Sequence, residues 1–256
     1  MRTSQTRQPQ GFEIETFFVS TEDMSRMGVA YGACASRVVL FLGAPGSGKG
    51  TQSAWLSQQL GMPSLSTGDM LRAEAKRNTK AGVKLRTVLA SGALADDKLV
   101  CAAVRARLHN DLPKRGIILD GFPRTVAQAK CLDEILCGMG MPGPLVLHLD
   151  VSRDNLLSRL TARRHCESCG TIYNLLSRPS ARGAYCETDG AELQQREDDS
   201  EAVIRRRLTA FDLSSAPLIE YYSHTDYHRI DGNREPEPIS RELMEIAGQE
   251  RTRAAA

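Results

Sequence analysis

Val38-Val39-Leu40-Phe41-Leu42-Gly43-Ala44-Pro45-Gly46-Ser47-Gly48-Lys49-Gly50-Thr51 is the stretch that decides the fold. Its first five residues form a continuous apolar run with β-branched members, bounded by glycine. Such a run reads as a strand buried on both faces, the kind found in parallel sheets. The pattern G-x-x-x-x-G-K follows at once. Glycines let the backbone adopt positive φ and bring N–H groups up to phosphate oxygens. The helix expected to start here aims its positive dipole end at the same place. Gly46, Ser47, Gly48, Lys49, Gly50 and Thr51 therefore read as a phosphate-binding P-loop, with Lys49 reaching the β- and γ-phosphates of a nucleotide. Gly50-Thr51 stands where Ser or Thr would directly follow the lysine, which marks a subfamily of the motif.

Working outward, Ile117-Ile118-Leu119, Leu145-Val146-Leu147-His148-Leu149 and, more weakly, Tyr227-His228-Arg229-Ile230 repeat the apolar-run pattern. Helical periodicity lies between them, as from Leu99-Val100 through Ala103-Val104 to Leu108. Alternation of this kind predicts an α/β fold, a parallel sheet with helices on both faces. Asp120 ends the second strand, where a P-loop protein places an acid near the nucleotide's Mg²⁺.

Three segments depart from this pattern. Residues 1–36 are rich in Gln, Thr and Ser, and carry Glu13, Glu15, Glu22 and Asp23 besides Arg2 and Arg7. Transit peptides avoid acids and signal peptides need an apolar core, so the stretch reads as a disordered extension, or as upstream sequence with the start at Met27. Residues 162–199 are loop-rich and read as a small lid inserted into a core of residues 37–161 and 200–246. Residues 247–256 read as a flexible tail.

The lid holds Cys166-Glu167-Ser168-Cys169 and Cys186-Glu187-Thr188-Asp189, a C-x₂-C-x₁₆-C-x₂-D spacing. Two such knuckles can present Cys166, Cys169, Cys186 and Asp189 tetrahedrally to a structural Zn²⁺, with Gly170 and Gly190 in the tight turns. All four positions of such a site are filled, which leaves none open for catalysis. His165 adjoins the first knuckle but is off the pattern. Cys34, Cys101, Cys131 and Cys137 are scattered and read as small buried hydrophobes.

Composition narrows the partners. The chain has 256 residues, and 33 basic against 31 acidic residues give a formal charge of +2. Nothing in that balance asks for nucleic acid or a membrane surface, and no run approaches the ~18 apolar residues of a membrane span. Among the bases, 26 are Arg and 7 Lys, a bias that suits bidentate phosphate binding.

Leu65-Ser66-Thr67-Gly68-Asp69-Met70-Leu71-Arg72 and Asp120-Gly121-Phe122-Pro123-Arg124-Thr125-Val126-Ala127-Gln128, in order after the P-loop, make the chain resemble the adenylate kinases from about Arg37 to residue 245. The resemblance implies a Mg²⁺-dependent, reversible phosphoryl transfer from ATP to AMP in a cytoplasmic monomer. It implies an AMP-binding helical segment over about 66–95, with Thr67, Arg72, Gly121, Arg124 and Gln128 at the acceptor. It places Arg159 by the ATP adenine, Arg163 on its phosphates, and Arg196 and Arg207 around the transferring group. Ile172-Tyr173 would brush the ATP ribose, and the Asp231–Arg234 loop would lie against the adenine. Forked guanidiniums match a doubly charged phosphate, and an AMP oxygen needs no general base, so Lys49, Arg124, Arg163, Arg196 and Arg207 would catalyse by positioning and charge neutralisation. Two alternatives stand beside it: a zinc-ribbon nucleotide switch that binds nucleic acid, and a UMP- or CMP-type kinase. Near-zero charge speaks against the first and the long lid against the second.

Overall fold

The computed structural model describes residues 37–111 and 116–254. In chain order the elements are β1 (Val38–Leu42), α1 (Lys49–Leu60), β2 (Ser64–Ser66), α2 (Thr67–Ala75), α3 (Lys80–Ser91), α4 (Asp97–Asp111), β3 (Ile117–Asp120), α5 (Val126–Gly138), β4 (Leu145–Asp150) and α6 (Arg153–Thr161). There follow β5 (Arg163–Cys166), β6 (Ile172–Asn174), β7 (Leu193–Gln194), a short 3₁₀ turn (Glu197–Asp199), α7 (Glu201–Tyr222), β8 (Tyr227–Asp231) and α8 (Pro236–Ala254). The assignment of residues 1–36 as an extension lies outside the described residues.

Five strands form one parallel sheet in the order β2-β3-β1-β4-β8. β1 sits at its centre, and every one of its residues is buried. Its side chains divide strictly by parity. Val38, Leu40 and Leu42 pack into a cluster with residues of α2, α3, α4, α5 and α7. Val39 and Phe41 face the other way, into a cluster built from α1 and α8. That division is the physical meaning of a continuous apolar run: both faces of the strand must be covered. Each fully buried Val, Leu or Phe contributes roughly 1.5–3 kcal/mol, so the centre of the sheet is its firmest part.

The strand order puts the C-terminal ends of β1, β3 and β4 side by side, and the loops after them open onto one edge. In open α/β sheets that edge is where ligands bind. The lid departs from the core as a separate antiparallel sheet, β6-β5-β7, with its own minimal cluster of Cys166, Tyr173 and Cys186 against Ala191 and Leu193.

Two expectations are corrected here. The helix α8 continues through the segment expected to be a flexible tail from residue 247, and Ala247 is buried in the α1–α8 cluster, which holds the chain in register there. Among the scattered cysteines, Cys101 and Cys131 are only half-buried at the edge of a core cluster and Cys137 is exposed. Each adjoins a buried helix position, Val100, Leu132 or Leu136, at the edge of the buried stripe, where a small thiol is tolerated in water.

Candidate active site

The loop after β1 takes the shape its glycines permit. Gly46 has φ +85°, and a Cβ on it would come within 2.7 Å of Leu160 Cγ. Gly48 has φ +95° at the N-terminus of α1, yet a Cβ there would meet nothing within 4 Å. The first glycine is required by packing; the second borders open space in front of the helix's free N–H groups, where an anion fits. Lys49 bends back over this loop. Its Nζ donates to the carbonyls of Gly43 at 2.7 Å and Ala44 at 2.8 Å. Burial brings the ammonium down to about 8, Asp120 pulls it back up, and Arg124, Arg207 and Arg163 push it further down. Ser47 is buried beneath the loop, while Thr51 is exposed one turn along α1.

The loop borders a cavity of roughly 330 Å³. Arg72, Arg124, Arg159, Arg163, Arg196 and Arg207 all line it, as do Asp120, Gly121, Ile172, Tyr173 and Arg234. The sequence scatters these groups from Arg72 to Arg234, and the fold brings them to one place. Burial shifts them together. It is the largest cause lowering Arg124, Arg207 and Arg196, the last to about 10, and neighbouring arginines add to the effect in all three. Asp120 is pushed up by the same burial, against the pull of Lys49 and Arg124. A pocket whose cations repel one another is a pocket prepared for a polyanion.

Carboxylates occupy several of the arginines. Arg163 is held bidentately by Asp199, at 2.7 Å from Nε and 2.5 Å from one terminal nitrogen. Arg207 reaches Asp198 at 2.9 Å and Asp199 at 3.2 Å. Arg72 pairs with Asp69 at 2.6 Å, and two longer pairs, Arg72–Asp198 and Arg196–Asp69, each 3.9 Å, join α2 to the closing end of the lid. Asp69 was legible only as the third residue after an N-cap serine: Ser66 Oγ does accept its N–H at 3.2 Å. Its pairing with the lid needed the fold.

Thr67 and Gln128, both expected at the acceptor, sit deeper than the rest, behind the residues that line the cavity. Thr67 is 1% exposed and donates its hydroxyl to Gly121 O at 2.8 Å. Gln128 is 2% exposed, its side chain bonded to the backbone N–H of Arg124 at 2.8 Å and to Asp97 at 2.7 Å. Asp97 had no motif to announce it. Arg124 itself donates through Nε to Gly121 O at 2.9 Å, which leaves the outer edge of its fork toward the cavity.

At the opposite end, Arg159 lines the wall near Arg234, and burial lowers it while Glu235 and Asp231 pull it up. Arg234 is itself tied down, donating to Asp231 O at 3.0 Å and to Glu242. Ile172 and Tyr173 both border the cavity, but Tyr173 turns its side chain into the lid, where its hydroxyl meets Cys186 Sγ at 3.4 Å and accepts from Glu187 N at 2.9 Å. His148, not anticipated from the sequence, also lines the cavity, with Nδ1 2.6 Å from the Tyr227 hydroxyl.

The lid brings Cys166, Cys169, Cys186 and Asp189 together, with ligand atoms all within 4.8 Å of one another. The two knuckles repeat each other. Gly170 N donates to Cys166 O and Gly190 N to Cys186 O, both at 3.0 Å, and both glycines have φ near +76° (+77° and +75°). Cys169 and Cys186 sulfurs are 3.5 Å apart, and Cys166 Sγ is 3.3 Å from an Asp189 oxygen. A disulfide needs about 2.05 Å, whereas the edges of a tetrahedron around zinc with ~2.3 Å metal–sulfur bonds are roughly 3.8 Å. The donor set and spacing fit a structural zinc. Burial alone would raise Cys186, but hydrogen bonds from Tyr173 and from the Asp189 and Thr188 amides bring it down to about 7, whereas Cys166, lowered by the Cys169 amide, is raised by burial and by the side chains of Asp189 and Cys169 to about 11. His165 stays outside this group and bonds Gln194 O at 3.0 Å.

Comparison with known proteins agrees with the geometry. A family model described as adenylate kinase matches residues 41–227. An adenylate kinase of Thermodesulfovibrio yellowstonii is 48% identical over 185 residues, 72% of this chain and 86% of that protein. One of Thermosipho melanesiensis is 42% identical over 209 residues, covering 81% and 98% of the two chains. One of Bacillus subtilis is 38% identical over 211 residues, covering 82% and 97%.

Proposed function

The chain belongs to the adenylate kinase family, enzymes that bind ATP and AMP and transfer a phosphoryl group between them, and from that premise we propose how its own residues divide the work. The observation that carries the assignment is the convergence of Lys49 and the arginines 124, 163, 196 and 207 on one cavity, with burial and mutual repulsion weakening their hold on their protons at Lys49, Arg124, Arg196 and Arg207. A triphosphate chain meeting an acceptor monophosphate end to end satisfies that charge.

In this assignment the P-loop amides of residues 46–51 and Lys49 hold the β- and γ-phosphates, and Arg159, Ile172 and the Arg234 loop border the ATP base and ribose. Arg72 and Arg124 grip the acceptor phosphate, while Thr67, Gly121 and Gln128 shape the floor beneath its nucleoside. Asp120 fits a role as anchor for hydrated Mg²⁺, since it is a half-buried carboxylate beside the P-loop that lines the cavity. The metal, when bound with ATP, neutralises phosphate charge and aligns the chain for in-line transfer. Arg163, Arg196 and Arg207 stabilise the charge that spreads over the equatorial oxygens. Arg163 and Arg207 meet Asp198 and Asp199 through part of their forks, and Arg207 does so through one terminal nitrogen alone, so donors remain on them for phosphate. Lid closure also excludes water, which would otherwise accept the phosphoryl group.

We place the enzyme in the cytoplasm as a monomer without nucleic-acid partners. One chain's own residues complete the cavity, and free thiols suit a reducing compartment. Among the described residues no helix is long and apolar enough to cross a membrane. The lid zinc belongs to the same proposal.

The test is ADP formation in a coupled assay with AMP, CMP, UMP and GMP as acceptors, where AMP should be preferred. A protein that hydrolysed ATP and ignored AMP would be the nucleotide switch instead. Arg124→Lys sharpens the test, because it keeps the charge and loses the fork. The expected result is a fall in kcat on the order of 10²-fold together with weaker AMP binding. A change confined to the KM for ATP would remove Arg124 from the acceptor side.

A further inference from the structure

The Gln128 side-chain amide is pinned at both ends. Its Oε1 accepts from the Arg124 backbone N–H at 2.8 Å, and its Nε2 donates to Asp97 Oδ1 at 2.7 Å. A backbone N–H only donates and a carboxylate only accepts, so the two partners fix which end of the amide is which. The other Asp97 oxygen accepts from the Thr125 hydroxyl at 2.9 Å. That hydroxyl in turn accepts from Gln128 N at 3.2 Å as the cap of α5. Asp97 thus reaches across from the first turn of α4 and locks the first turn of α5, beside Pro123 and Arg124 of the cavity wall.

One Nε2 hydrogen and one Oε1 lone pair remain on this amide, and their order cannot be reversed cheaply. Turning the amide over would set its NH₂ against the Arg124 N–H and its oxygen against the Asp97 carboxylate, leaving buried donors and acceptors unpaired. A base edge with an amino donor beside a ring acceptor, as in adenine, suits one orientation. A keto acceptor beside a ring N–H, as in guanine, demands the other.

We propose that Asp97 is a positioning residue for acceptor-base selectivity: by holding Gln128 in one orientation it makes the site accept an amino-bearing base edge and reject a keto-bearing one. The proposal rests on the placement of Gln128 beneath the acceptor nucleoside given above.

The experiment compares kcat/KM for AMP and for GMP, with the KM for ATP and thermal unfolding, in Asp97→Ala, Asp97→Asn and Gln128→Ala. Asp97→Ala should lower the AMP-to-GMP ratio on the order of tenfold, chiefly through the acceptor KM, with the KM for ATP unchanged. Asp97→Asn keeps the size and packing but can itself turn over, so it should lower the ratio several-fold while unfolding near the wild-type temperature. A role confined to joining α4 and α5 would lower stability and leave the ratio alone. If Gln128→Ala changed the ratio while both Asp97 variants kept the wild-type value, Asp97 would not position the amide. If Gln128→Ala also kept it, Gln128 would not lie at the acceptor base, and both assignments would fall.

Discussion

Lys49→Ala should lower kcat by on the order of 10³-fold, while the protein unfolds near the wild-type temperature. The expectation follows from where the ammonium rests. Lys49 touches only the carbonyls of Gly43 and Ala44 and, at 3.4 Å, Ser47 Oγ, so no packing depends on it. Its burial is unfavourable to the charge, which is why the ammonium is brought down to about 8. Removing it relieves that burial but also ends its attraction to Asp120, so the free enzyme changes little and the liganded one loses its hold on phosphate. The pH dependence follows with a definite sign. As pH rises through about 8 the free enzyme loses this charge, so kcat/KM for ATP falls. Bound phosphates hold the proton, so the limb in kcat lies at higher pH. Arg does not deprotonate in this range, hence Lys49→Arg should lose the limb even where its activity is low. A Lys49→Ala enzyme forming ADP at near wild-type rates would remove the lysine from the reaction.

Much of this site was legible because its motifs are local. A glycine loop between an apolar strand and a helix specifies its own geometry, and the paired knuckles of the lid do the same through their turns. The four long strands announced themselves through runs that need cover on both faces. β2 did not: Ser64-Leu65-Ser66 is three residues at the sheet edge, and only its pairing with β3 makes it a strand. The order of the strands is likewise long-range information, carried by register and not by any one segment. The same holds for charge. The pairing of Asp198 and Asp199 with Arg163 and Arg207 depends on how α7 meets β5, which no single segment carries. Tyr173 shows the limit of reading one strand alone. Alternation places Ile172 and Tyr173 on opposite faces, and the lid's small cluster claims the larger ring. Asp97 lay beyond sequence reasoning altogether, since an acid at a helix start reads as a cap until its partner on another helix is known.

Stripping the metal from the lid should loosen it and leave the core folded. The lid's own apolar cluster is only Cys166, Tyr173 and Cys186 with Ala191 and Leu193 beside them, and Leu175 and Leu176 are exposed. So little burial cannot offset the conformational entropy of ordering some forty residues. In such units the metal's binding energy is folding energy, because the unfolded chain does not preform the site. The core has its own sheet with one cluster on each face, and needs no such staple. The expected results are one zinc per chain by elemental analysis and, after chelation, a midpoint of thermal unfolding lower by on the order of 10 °C. Activity at elevated temperature should fall with it, since Arg163 and Arg196 stand at the two ends of the lid, while AMP binding to the core survives. Cys166→Ser should reproduce chelation, for it removes a thiolate and leaves a poor ligand. Asp189→Cys should keep or tighten the metal, because a fourth thiolate is the softer donor and the second knuckle already has the turn that presents it. Protein purified without metal, melting identically with and without chelator, would leave the three cysteines and Asp189 as a hydrogen-bonded cluster with no ion to hold, and the lid's order would then have to come from its contacts with α2 and α7.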